Sequence, residues 1–145
     1  MKRIRLLLGI LLLLVLVSVG LAVTAANQVP VTGLGEASIG ISANQLKPPE
    51  CAGINIINVI TGSGNINGTS ANDLILGSSA HDAINGGDGD DCVLGGAGND
   101  KLLGEGGNDV LMGGPDNDQL NGGPGFDSCW GGGGNDKYAV CEYQY

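Results

Sequence analysis

GGDGDDCVLGGAGNDKLLGEGGNDVLMGGPDNDQLNGGPGFDSCW, residues 86–130, repeats with a period of nine. Carried outward, the same frame divides residues 68–139 without a gap into eight blocks: GTSANDLIL, GSSAHDAIN, GGDGDDCVL, GGAGNDKLL, GEGGNDVLM, GGPDNDQLN, GGPGFDSCW and GGGGNDKYA. Position 1 is glycine in every block. Position 6 is aspartate in every block, as Asp73, Asp82, Asp91, Asp100, Asp109, Asp118, Asp127 and Asp136. Position 8 is apolar or nearly so: Ile75, Ile84, Val93, Leu102, Leu111, Leu120, Cys129 and Tyr138. Strand side chains alternate between faces, so positions 6 and 8 point one way and positions 7 and 9 the other. Each block therefore predicts a glycine-rich turn followed by a short strand with one inward hydrophobe. Two degenerate blocks, ECAGINIIN and VITGSGNIN, precede them, with Ile57 and Ile66 expected at the inward position.

The blocks follow G-G-x-G-x-D-x-U-x, with U apolar, and this pattern resembles the repeats-in-toxin (RTX, hemolysin-type) calcium-binding nonapeptide family. The resemblance covers about half of the chain, residues 68–139. It implies an all-β fold, a right-handed parallel β-roll or β-solenoid with two nine-residue repeats per turn, and calcium ions in the turns between successive coils. The implied metal residues are the eight position-6 aspartates. Backbone carbonyls of Gly86, Gly87, Gly89, Gly95, Gly96, Gly98, Gly104, Gly107, Gly113, Gly114, Gly122, Gly123 and Gly125 would join them.

The chemistry suits those residue types. Calcium is a hard cation that takes six to eight oxygens, from carboxylates and carbonyls alike, and glycine lets a tight turn aim its carbonyls at one point. With two blocks per turn, the aspartates form two ladders: Asp73, Asp91, Asp109 and Asp127, and Asp82, Asp100, Asp118 and Asp136. Three intervals in each predict about six enclosed ions. Without them, carboxylates about 5 Å apart repel by roughly 3 kcal/mol per pair at an effective dielectric near 20, so folding is expected to be coupled to metal binding. Thr69, Ala71, Ser78 and Ala80 replace glycines in the first two blocks, and Glu105 and Asp116 do so in the fifth and sixth. The sites flanked by Asp73 and Asp82 are thus the weakest candidates.

Outside the frame, Lys2, Arg3 and Arg5 precede the apolar run Leu6 to Val17 and small residues around Val23, Thr24 and Ala25, the layout of a secretory signal peptide cleaved after Ala25 or Ala26. The protein is therefore expected to be secreted. An uncleaved anchor is the alternative, since Leu6 to Ala26 is long enough to span a bilayer. Residues 27–50, with Pro30, Gly33, Gly35, Pro48 and Pro49, read as a flexible linker. Residues 51–67 read as an N-terminal cap of degenerate repeats and residues 140–145 as a C-terminal cap. Cleavage would remove three of the six basic residues and none of the fifteen acidic ones, leaving a net charge of -12. A domain with only Lys47, Lys101 and Lys137 offers no basic patch to nucleic acid.

Four cysteines in an exported chain suggest two disulfides, for which three pairings exist. Cys129 with Cys141 would close the C-terminal end, and Cys51 with Cys92 would tie the leading segment to the third block. Odd-numbered blocks turn Leu74, Leu76, Cys92, Leu94, Val110, Met112 and Trp130 outward, so one outer face is apolar. Such a face calls for cover, either by the segment around Cys51 or by self-association or a cell-surface or matrix partner. No catalytic residues are expected: His81 is the only histidine and stands where most blocks have asparagine, with no triad partners. The expected role is a structural or interaction module. Two other readings are an exported enzyme or toxin accessory, because the family often appends these repeats to such domains, and a calcium-stabilised ice-binding or adhesion protein.

Overall fold

A computed structural model describes residues 41–145. The expected signal peptide, its membrane-anchor alternative and most of the expected linker lie outside the described residues. Eleven short strands wind into a parallel β-solenoid of two sheets. One sheet runs β1 (Asn58–Thr61), β3 (Asp73–Leu76), β5 (Cys92–Leu94), β7 (Val110–Pro115), β9 (Ser128–Gly133) and β11 (Tyr143–Gln144). The other runs β2 (Asn65–Asn67), β4 (Ala83–Asp88), β6 (Lys101–Gly106), β8 (Gln119–Asn121) and β10 (Lys137–Ala139). Every pairing is parallel, and through the repeats each residue pairs with the one two blocks later, as Val93 does with Leu111 and Leu102 with Leu120. Two nine-residue blocks therefore make one coil.

The register follows from the period of two in the strands. The position-8 side chains Ile75, Ile84, Val93, Leu102, Leu111, Leu120 and Cys129 stack with Ile66 into one buried column between the sheets, with Ile60, Tyr138 and Cys141 packed against it. A one-residue slip would turn this whole column outward, which is why the register is fixed so firmly.

Both ends depart from the period of nine. At the start, Asn58 pairs with Asp73 and Ile60 with Ile75, so the first coil is three residues shorter than the rest. Ile60, not Ile57, enters the column. Ile57 is 62% exposed. The expected position failed because the turn from Thr61 to Asn65 is tight, with Gly64 at φ 79°, and extrapolating the nine-residue frame through it overshoots. At the other end Tyr143 pairs with Ser128, again a shortened coil.

The apolar outer face is covered from within the chain. Cys51, Ile54 and Ile56 are buried with Leu74 and Cys92, and Ala43, Leu76, Leu94 and Val110 pack around them. This places the segment around Cys51 on the face for which a second molecule was the other expected cover. The Cys51–Cys92 and Cys129–Cys141 disulfides are both present. The last stretch of the expected linker is folded: Ala43–Leu46 is a helical turn with a capping box between Ser42 and Gln45, and Pro49–Cys51 is a 3-10 turn. Asn44 holds the segment down, its side chain accepting from the Ile56 N–H at 2.9 Å and donating to the Ile56 carbonyl at 3.1 Å. Toward the C-terminal end, Trp130 stacks on Tyr145 with ring centroids 3.8 Å apart.

Candidate metal centre

The eight position-6 aspartates stand at the mouths of the turns, and all but Asp136 are buried. They are linked in a way that treating them as facing carboxylate pairs did not anticipate. In each ladder the backbone N–H of one aspartate donates to Oδ1 of the aspartate one coil later, at 2.8 to 2.9 Å: Asp73 to Asp91, Asp91 to Asp109 and Asp109 to Asp127, then Asp82 to Asp100, Asp100 to Asp118 and Asp118 to Asp136. One oxygen of each carboxylate thus staples two coils together.

The second oxygen divides the seven buried aspartates into two groups. Oδ2 of Asp91, Asp100, Asp109, Asp118 and Asp127 is buried and, among the described residues, meets no donor. A buried, unpaired carboxylate oxygen is costly. In the first two blocks the same atom is satisfied: Thr69 donates to Asp73 Oδ2 from its backbone N–H at 2.6 Å and its hydroxyl at 2.9 Å, and Ser78 does so to Asp82 at 2.7 and 2.9 Å. Each hydroxyl also accepts from the backbone N–H two residues on, at Ala71 and Ala80. Where the later blocks carry a position-2 glycine, these two therefore carry a hydroxyl that satisfies the inward carboxylate oxygen.

The position-1 glycines explain themselves on the same geometry. A Cβ on Gly95 would lie 2.5 Å from Asp100 Oδ2 and 2.8 Å from the Gly113 carbonyl oxygen. Gly86, Gly104, Gly113 and Gly122 repeat the arrangement with Asp91, Asp109, Asp118 and Asp127, and their own carbonyls line the cradle of the preceding coil where one exists. A carboxylate oxygen and a carbonyl oxygen thus converge on a space kept free of any side chain. The position-2 glycines Gly87, Gly96, Gly114 and Gly123 and the position-4 glycines Gly89, Gly98, Gly107 and Gly125 hold the turns at positive φ. Glu105 (φ 72°) and Asp116 (φ 83°) adopt that conformation without being glycine, so the turn shape survives both substitutions.

The electrostatics match an acceptor-only cluster. Burial pushes Asp91 and Asp109 up to about 7, with neighbouring aspartate charges adding to it, and burial also raises Asp100, Asp118 and Asp127. Asp82 goes the other way: against burial, donors from Gly64 and Ser78 hold it below its usual range. Among the described residues no three aspartate, glutamate, histidine or cysteine side chains gather at one point. A site here must draw most of its oxygens from the backbone, as calcium accepts and zinc or copper do not. The buried Oδ2 atoms and their glycine cradles fit that requirement.

Three features of the turns escaped sequence reasoning. Position 5 forms its own outer ladder, in which the side chains of Asn72, Asp90 and Asn108, and of His81, Asn99 and Asn117, each accept from the backbone N–H one coil later. The recurrence of asparagine there was the available signal. The other two are Asn58 and Glu142, which stand beyond the two ends of the first aspartate ladder: Asn58 Nδ2 donates to Asp73 Oδ1 at 2.7 Å, and Glu142 Oε2 accepts from the Asp127 N–H at 2.7 Å.

Compared with known proteins, residues 67–102 and 103–138 each match the family model of the RTX calcium-binding nonapeptide repeat (4 copies). No curated protein and no solved structure matches the chain.

Proposed function

We propose that this chain, which belongs to the RTX calcium-binding nonapeptide repeat family through residues 67–138, is an exported structural or interaction module that becomes rigid when calcium fills its turns. The carrying observation is the set of buried Oδ2 atoms without donors, each beside a glycine cradle that also receives a carbonyl oxygen. Between the repeats these are the cradles of Gly86, Gly95, Gly104 and Gly113, served by Asp91, Asp100, Asp109 and Asp118. Four ions, in place of the six expected by counting intervals, is the number this reading favours, because Thr69 and Ser78 already satisfy Asp73 and Asp82. A bound ion supplies positive charge to carboxylates that the protein leaves uncompensated. The chain's own part is to hold oxygens at the turn, exclude side chains from it, and stack the coils through Asp N–H to Oδ1 bonds. The family is a structural calcium-binding module and needs no catalytic residue.

Calcium titration of chelator-treated protein, following circular dichroism and bound ions together, tests this reading. Parallel-sheet signal should appear cooperatively as about four or more ions bind. A full β spectrum and a cooperative melt in the absence of calcium would refute it.

A further inference from the structure

The two ends of the odd ladder are built differently. At the start, the neutral amide of Asn58 donates to Asp73 Oδ1, and Thr69 satisfies Oδ2, so the ladder closes with every oxygen partnered. At the finish, Asp127 is fully buried, its Oδ2 has no donor, and the group stacked beyond it is a second carboxylate, Glu142. Residues 140–142 lie outside the repeat frame and beyond the matched residues, yet they reproduce the contents of a repeat turn. The Tyr143 N–H donates to the Asp127 carbonyl at 3.1 Å, as the Val110 N–H does to the Asp91 carbonyl, and Glu142 Oε2 takes the Asp127 N–H, which is the place of the next position-6 aspartate. The Val140 carbonyl oxygen stands against the Gly122 cradle beside Asp127 Oδ2, where the Gly122 carbonyl stands in the cradle of Gly104 one coil earlier. Val140 holds this carbonyl in place at φ 48°, a conformation that a β-branched residue rarely adopts. The Cys129–Cys141 bridge fixes the residue between Val140 and Glu142.

We infer that Asp127, Glu142 and the Val140 carbonyl form an additional calcium site in front of Gly122, made by the tail and not by stacked repeats. The inference rests on the proposed filling of the repeat turns by calcium. Its donors are all oxygens, two carboxylates and a carbonyl, the set that selects a hard divalent cation. Strain at Val140, an orphaned buried oxygen at Asp127 and a like charge laid against it are three unfavourable features with one common remedy. The site also gives the C-terminal disulfide a purpose beyond closing a loop, since it brings the tail's two oxygen donors back onto the last full coil.

The test uses calcium alone, with bound ions counted by equilibrium dialysis on the full chain and on Glu142→Gln, in which the amide oxygen still accepts from Asp127 N–H. Trp130 is the only tryptophan and stacks on Tyr145 of the same tail, so its emission reports locally on the site. The wild type should bind one more ion per chain than Glu142→Gln, and the variant should lose the Trp130 change that accompanies this ion while keeping its β spectrum. Val140→Gly, which keeps the carbonyl and relieves the backbone, should keep the ion. Equal ion counts and equal Trp130 responses in wild type and Glu142→Gln overturn the tail site while leaving the repeat sites standing; a wild type that binds no calcium overturns both. Should Glu142→Gln fail to fold, the wild type decides alone: a calcium-dependent Trp130 change separable from the far-ultraviolet transition supports the site, and none overturns it.

Discussion

The backbone N–H of Asp91 donates to Oδ1 of Asp109 at 2.8 Å, while Oδ2 of the same Asp109 is buried without a donor. One carboxylate therefore does two jobs: it staples its coil to the previous one, and it brings an unbalanced negative oxygen into the turn. The first job needs only an acceptor. The second needs a cation.

Substitution separates the two. Asp109→Asn keeps an Oδ1 acceptor for Asp91 but removes the charge, and calcium affinity at its cradle should fall by at least the 10- to 100-fold typical of disturbed metal surroundings. Asp73→Asn is the control, because Thr69 already satisfies Asp73 Oδ2. Calorimetric titration should show fewer ions bound for the first variant and an unchanged count for the second. Equal losses in both would mean that the orphaned oxygens do not mark the sites.

Acid should partly replace calcium. Asp91 and Asp109 sit at about 7 in the folded chain and near 3.8 without the fold, so between these values the folded state binds more protons than the unfolded one. Metal-free stability then falls as pH rises through this window, and the full penalty is present above about 7. Raised values at Asp100, Asp118 and Asp127 add in the same direction, while the lowered Asp82 opposes. Calcium needs the deprotonated form, so its affinity should weaken as pH drops through the same range. Circular dichroism of calcium-free protein should show more β structure at pH 4.5 than at pH 8. Identical spectra would count against the charge argument.

Two adjacent residues in one turn predict opposite outcomes. Gly104→Ala places a methyl group against Asp109 Oδ2 and 2.5 Å from the Gly122 carbonyl, overpacking that costs about 1–3 kcal/mol and occludes the cradle. Glu105→Gly relieves a left-handed residue at φ 72° and should stabilise the calcium-loaded protein by about 1 kcal/mol, the conformational strain outweighing glycine's freedom in the unfolded chain. Urea melts in saturating calcium distinguish the two, and a destabilised Glu105→Gly would mean that its weak contact with Asn85 outweighs the strain.

Sequence carried the middle of the molecule and lost its ends, for a physical reason. From Asp73 to Asp136 each residue type repeats what its neighbours one coil away require, so periodicity alone places Val93 over Leu111 and Asp91 beside Asp109. The pairing of Cys51 with Cys92 was favoured as a tie from the leading segment to the third block, and the cover of the apolar outer face followed from that pairing. Ile60 and Glu142 were not readable, since both lie across coils shortened by three residues, where counting by nine points elsewhere. The stapling N–H bonds were hidden too, because a sequence shows that carboxylates stack but not which oxygen is already taken.

The Cys51–Cys92 bridge should be what keeps the outer face of the odd sheet private. It closes a loop of 41 residues, for which chain entropy gives about 4 kcal/mol, and the cover it anchors is thin: Ile54 and Ile56 over Leu74, held elsewhere by Asn44 and a Lys47 ammonium donating to backbone carbonyls. Replacing both cysteines by alanine leaves the repeats and their cradles intact, but the leading segment can then lift away and expose Leu74, Leu76, Leu94 and Val110 as one patch, of the kind that drives association. In saturating calcium the double variant should keep its β spectrum and its ion count, bind a hydrophobic dye, and sediment partly as a dimer or larger species. A variant that stays monomeric and dye-free would show that Asn44 and the buried isoleucines hold the cover without the bridge.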